Sequence, residues 1–161
     1  IVVVGDSAGG GLAMALTMYI RDHDMPIPGG IVAMSPWTDV TASGESYTTN
    51  YESDPLFGKT KDSLIYVNDY AGEHDPMDCY ISPLFGDFRQ FPPMLIQVGS
   101  IEMLLSDSVD AAAKARHQGV RVRLSVYEGM FHVFQMGYLN IPESKKAWYE
   151  VGKFFDAIDR E

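Results

Sequence analysis

The sequence holds a single cysteine, Cys79, in 161 residues. That is too few for a disulfide framework or a multi-thiolate metal site. Basic residues are also scarce: 12 Lys and Arg stand against 22 Asp and Glu, a formal net charge of −10. Such a surface repels nucleic-acid phosphates and anionic headgroups, so neither is an expected partner. No apolar run approaches the roughly 18–20 residues of a membrane span. The sequence opens at Ile1 without an initiating Met, so the absence of a leader is uninformative. What remains is 46% apolar residues with 15 Gly and 9 Pro. This composition describes one globular domain with a sizeable core, expected to be soluble and cytoplasmic.

The opening Ile1-Val2-Val3-Val4-Gly5 reads as a strand buried on both faces, as at the centre of a parallel sheet. A central strand needs a neighbour on each side. The chain is therefore expected to be the C-terminal part of a longer protein whose earlier strands lie upstream. A helix is predicted from Gly9 to Asp22, with Leu12, Leu16, Tyr19 and Ile20 at helical spacing, ended by Met25-Pro26. Gly30 to Ser35 reads as a second buried strand. Thr38 to Leu84 is irregular, apart from a helical pattern over Lys61 to Ala71. Pro93 to Gly99 gives a third buried strand. Ser106 to Gln118 reads as a helix capped by Ser106, with Val109, Ala112 and Ala113 facing inward. Val122, Leu124 and Val126 alternate with polar residues as in an edge strand. A last helix begins at Pro142, with Ala147, Val151, Phe154, Phe155 and Ile158 as its apolar stripe.

Strands alternating with helices imply an α/β fold with a parallel sheet covered on both faces, whose chemistry gathers at the C-terminal strand ends. Three glycine-rich motifs compete for Gly5-Asp6-Ser7-Ala8-Gly9-Gly10-Gly11. A dinucleotide fingerprint fails because its third position is Ser7, and a phosphate-binding loop fails because no Lys follows the last glycine. Gly5-x-Ser7-x-Gly9 instead fits the nucleophile elbow, in which a strained turn exposes a serine above the sheet. The Ala8 N–H, at the head of the following helix, would face a developing oxyanion.

An elbow calls for an acid and then a histidine, later in the chain. His23, His74 and His117 lie in polar surroundings and read as surface residues, whereas His132 follows the fourth strand. For the acid, Glu102 directly follows the third strand. Asp107 comes second, because an early helical acid already has a role complementing the helix dipole. Asp39, after the second strand, comes third.

These residues sit in blocks: GDSAGG after a buried strand, SPWTD after the next, SPL before PPMLIQVGS, then E-x-L-L and GMFHVF. Together they resemble the hormone-sensitive-lipase-like branch of the α/β-hydrolase fold, over nearly the whole chain. The resemblance implies a carboxylesterase acting on small acyl esters, with a short-chain preference and no metal or organic cofactor. By position, Ser7 matches its nucleophile, His132 its general base, and Glu102 the acid that opens its D/E-x-L motif. In the longer form of that motif the second acid falls at Ser106, one residue before Asp107. The family's HGGG-type oxyanion loop lies upstream of the elbow and is not in this sequence. The implied organisation is 1–37 as the elbow unit, 38–84 as an insertion forming part of a cap, and 85–161 as the C-terminal core carrying acid and histidine, with the N-terminal part of the domain missing. Tyr47, Tyr51, Phe57 and Tyr66 of the insertion either line a substrate pocket or pack the insertion onto the sheet. The competing reading is a non-catalytic binding module on the same fold.

Overall fold

In a computed structural model of the chain, residues 1–59, 65–66 and 69–159 are described. Four parallel strands form one sheet in the order β1 (Val2–Asp6), β2 (Gly30–Met34), β3 (Met94–Gly99) and β4 (Val122–Tyr127). Val3 pairs with Ile31, Ile31 with Met94, and Met94 with Val122, so the four C-terminal ends rise to a common edge. Between strands run α1 (Ala8–Asp22), a single turn α2 (Ser46–Thr49) and α3 (Leu105–His117), and α4 (Pro142–Ile158) closes the chain. The helix expected over Lys61 to Ala71 lies for the most part outside the described residues.

The sheet is sandwiched. On one face Met14 and Met18 of α1 and Ala111, Ala112 and Ala115 of α3 pack with Ile31, Ala33, Met94, Ile96 and Phe88. On the other, Val151 and Phe154 of α4 cover Val32, Met34 and Leu95. Burying each of the larger side chains contributes about 1.5–3 kcal/mol relative to exposure. The β2 and β3 residues are buried throughout, as uninterrupted apolar runs require.

Three helix faces differ from the expected ones. In α1 the inward residues are Gly10, Gly11, Ala13, Met14, Ala15, Thr17 and Met18, while Leu12, Leu16 and Tyr19 face outward. The helix is apolar almost all round, so two stripes compete, and the sheet takes the one whose small residues allow close approach. In α3 the cap is Leu104 rather than Ser106, and Val109 and Ala113 are exposed. The Ser106 hydroxyl instead accepts from the Ser46 N–H, and the Ser106 N–H donates to the Ser46 hydroxyl, both at 2.8 Å. In α4 Phe155 turns outward beside an inward Val151. The first strand is likewise less buried than its sequence suggests: β1 pairs with β2 alone among the described strands, and Val4 is 46% exposed.

Candidate functional site

The tight connection between β1 and α1 places Ser7 in a left-handed conformation, φ 53° and ψ −125°. For a non-glycine residue that costs on the order of 1–3 kcal/mol and persists only where surroundings enforce it. Here the Ser7 N–H donates to Met34 O, and Ser7 O accepts from the N–H groups of Gly10, Gly11 and Trp37. Side-chain absence nearby is a steric demand. A Cβ on Gly5 would lie 2.2 Å from Gly9 O, and one on Gly11 would lie 1.9 Å from Trp37 O. Gly9 differs, because a Cβ there would meet nothing within 4 Å. Ala8 is the first residue of α1, so its N–H has no partner within the helix and points where helix-end donors bind anions.

Three side chains from three strand ends converge. Ser7 Oγ lies 2.9 Å from His132 Nε2, and His132 Nδ1 lies 2.9 Å from Glu102 Oε2. Glu102 is fully buried and His132 is 7% exposed. With the carboxylate accepting from Nδ1–H, Nε2 is left free to accept from the serine hydroxyl. The second Glu102 oxygen accepts from the Gly99 N–H at 2.6 Å and from the Ser35 hydroxyl at 2.8 Å. Phe57 meets the His132 ring edge-on, with centroids 4.8 Å apart.

The other acids go elsewhere. Asp107 Oδ2 accepts from the Thr38 and Asp39 N–H groups at 2.7 and 2.9 Å, fixing the backbone after β2. Burial pushes its carboxyl up to about 7, against the lowering effect of those bonds. Asp39 accepts from the N–H and hydroxyl groups of Thr41 and Ser43, closing a local turn. His23, His74 and His117 are exposed. Among the described residues no three His, Cys, Asp or Glu side chains converge as a metal site requires.

Several residues at the site carried no sequence signal. Asn50 Nδ2 donates to the Glu102 carbonyl at 2.8 Å and to that of Ser100 at 3.1 Å. Asp54 Oδ2 accepts from the Met103 N–H at 2.7 Å. The insertion is thus fastened to the turn that carries Glu102. Of the four aromatics singled out there, Phe57 reaches His132. Tyr47 is buried with Met103 and Leu104, and the Tyr66 hydroxyl donates to Tyr47 O. An apolar cleft of about 230 Å³ opens beside Ala8, between Leu12 and Ala15 on one wall and Trp37, Val40, Tyr80 and Ile81 on the other.

A parallel α/β sheet with a serine elbow at its first strand end defines a class of hydrolase-fold proteins, and comparison with known proteins narrows it. Residues 1–136 match the family described as alpha/beta hydrolase fold. An esterase of Acinetobacter venetianus is 35% identical over 159 residues, covering 99% of this chain and 52% of its own length. An acetyl-hydrolase of Streptomyces hygroscopicus is 36% identical over 154 residues, covering 96% and 51%. The crystal structure of an esterase from the bacterial hormone-sensitive lipase family superposes with a TM-score of 0.90 at 40% identity, covering 96% of this chain and 52% of that one. The chain belongs to the α/β-hydrolase family, in its hormone-sensitive-lipase-like branch. It spans about half the length of the curated relatives it matches. No helix among the described residues is long and apolar enough to cross a membrane.

Proposed function

We propose that the chain carries the reacting centre of a carboxylic ester hydrolase that works through an acyl-enzyme. The observation that carries this reading is the continuous hydrogen-bonded line from Ser7 through His132 to buried Glu102, on three strand ends of one sheet. His132 Nε2 takes the Ser7 proton as Oγ attacks the ester carbonyl, giving a tetrahedral oxyanion that the Ala8 N–H stabilises. The imidazolium, held by Glu102, then protonates the leaving alkoxide, and the acyl group stays on Ser7. Water, deprotonated by His132, attacks that ester and releases the carboxylic acid and free Ser7. The esterases and the acetyl-hydrolase among the relatives support an acyl ester as substrate. The apolar cleft beside Ala8 offers a place for its hydrocarbon part.

Each oxyanion donor contributes about 100–1,000-fold to such reactions. The test is labelling with a fluorophosphonate probe, mapped by peptide mass and run beside Ser7→Ala. Label confined to Ser7 and lost in the variant supports the esterase reading. A folded chain that takes no label at Ser7 would leave the binding module as the better account.

A further inference from the structure

Ser35 directly follows β2 and bridges Glu102 to the residue after His132. Its side chain is fully buried. Its hydroxyl donates to Glu102 Oε1 at 2.8 Å and accepts from the Val133 N–H at 3.1 Å. Its own N–H is held by Gln97 O of β3 at 2.6 Å. One hydroxyl therefore joins the carboxylate to the residue that directly follows His132.

The backbone is strained at Ser35 itself and at Val133. Ser35 has φ 45° and Val133 φ 52°. A β-branched residue in the left-handed region is a marked outlier, which needs external bonds to persist. The Val133 N–H is secured by Ser35, so the hydroxyl helps to hold the turn that aims the His132 ring. On the other side it occupies one lone pair of Glu102, leaving Oε2 directed at Nδ1. We propose that Ser35 is a positioning residue of this centre, setting acid and imidazole in register through a single hydroxyl. This rests on the reading given above for Ser7, His132 and Glu102.

Two substitutions separate the hydroxyl from the backbone. Ser35→Ala removes the oxygen and keeps the cost of a positive φ. Ser35→Gly removes the same oxygen but accepts that φ without cost, so it should melt at a higher temperature than the alanine variant. If Ser35 positions the site, both variants label at Ser7 equally slowly, about 10–100-fold below the parent, the scale of one hydrogen bond to a charged group. Their melting temperatures nevertheless differ. A merely structural role makes labelling follow stability, with Ser35→Gly faster than Ser35→Ala, and that pattern overturns the proposal. So does labelling of either variant at the parent rate.

A second readout needs no turnover. The proton shared between His132 Nδ1 and Glu102 should give a far-downfield resonance in the parent, assigned by its loss in His132→Gln. The proposal expects it to broaden or move upfield in both Ser35 variants, and an unchanged resonance refutes it. A parent that shows the resonance yet never labels refutes the esterase reading alone, because the resonance still reports on Ser35.

Discussion

Replacing Glu102 by Gln puts the assignment of the acid at risk in one step. The side chain is buried and makes three hydrogen bonds, to Gly99 N–H, the Ser35 hydroxyl and His132 Nδ1. Gln keeps an acceptor oxygen for the first two and fills the same space, so the fold should survive. The amide nitrogen then faces His132, and because it donates, Nδ1 must become the acceptor. The ring proton moves to Nε2, which sits 2.9 Å from Ser7 Oγ and can no longer take its proton. In serine proteases the equivalent change costs about 10⁴ in rate, or about 5.5 kcal/mol at 1.36 kcal/mol per tenfold. Asp107→Asn is the control, since its oxygen can still accept from Thr38 and Asp39. The assay is the second-order rate of fluorophosphonate labelling at Ser7, with a melt of each variant. Glu102→Gln should fall by about three to four orders of magnitude while Asp107→Asn keeps nearly the parent rate. The reverse order, or an unaffected Glu102→Gln, would refute the reasoning.

Other expectations follow from packing and burial. Asp107, with its carboxyl raised to about 7 from 3.8, holds in the folded chain a proton that the unfolded chain releases. Its neutral form favours folding below pH 4, and that contribution is lost as pH rises through 7, at most about 4 kcal/mol. Urea unfolding from pH 4 to 8 should therefore show Asp107→Asn gaining on the parent as pH rises, and parallel curves would contradict the assignment. Gly9→Ala should stabilise by about 0.5–1 kcal/mol, as for an unhindered helical position. Gly5→Ala should destabilise by about 1–3 kcal/mol or more because its methyl meets Gly9 O; equal melting temperatures would sink this contrast. Phe88→Ala removes a fully buried ring between α1 and α3 and should cost about 3–5 kcal/mol in urea unfolding, a loss under 1 kcal/mol being the contrary result.

The first three strands were legible as short, mostly apolar runs closed by Gly or Ser, and the fourth by the alternation of Val122, Leu124 and Val126 with polar residues. The turn at Ser7 was legible because Gly5 and Gly11 on either side of it answer steric demands a few residues apart. Helix faces were harder. Both Leu12-Leu16-Tyr19 and Met14-Thr17-Met18 have helical spacing, and only the sheet beneath decides between them. Glu102 and Asp107 are both buried acids near one strand end, and local sequence leaves their partners unspecified. What separates them is a carboxylate's reach to residue 132 in one case and to residues 38–39 in the other. Ser35, Asn50 and Asp54 act across separations of 49 to 98 residues. Such side chains have no period, and although Ser35 opens the SPWTD block, nothing local to any of the three names its distant partner.

The fastening of the insertion to the acid turn bears on how such proteins can be recombined. Ser46, Asn50, Ser53 and Asp54 all bond to residues 100–106. A segment exchanged from a relative with its seam inside 46–54 would remove the clamps on the turn that carries Glu102. A seam placed after Asp54 leaves those clamps in the host. Residues 46–54 and the turn that carries Glu102 thus travel as one unit in any such exchange.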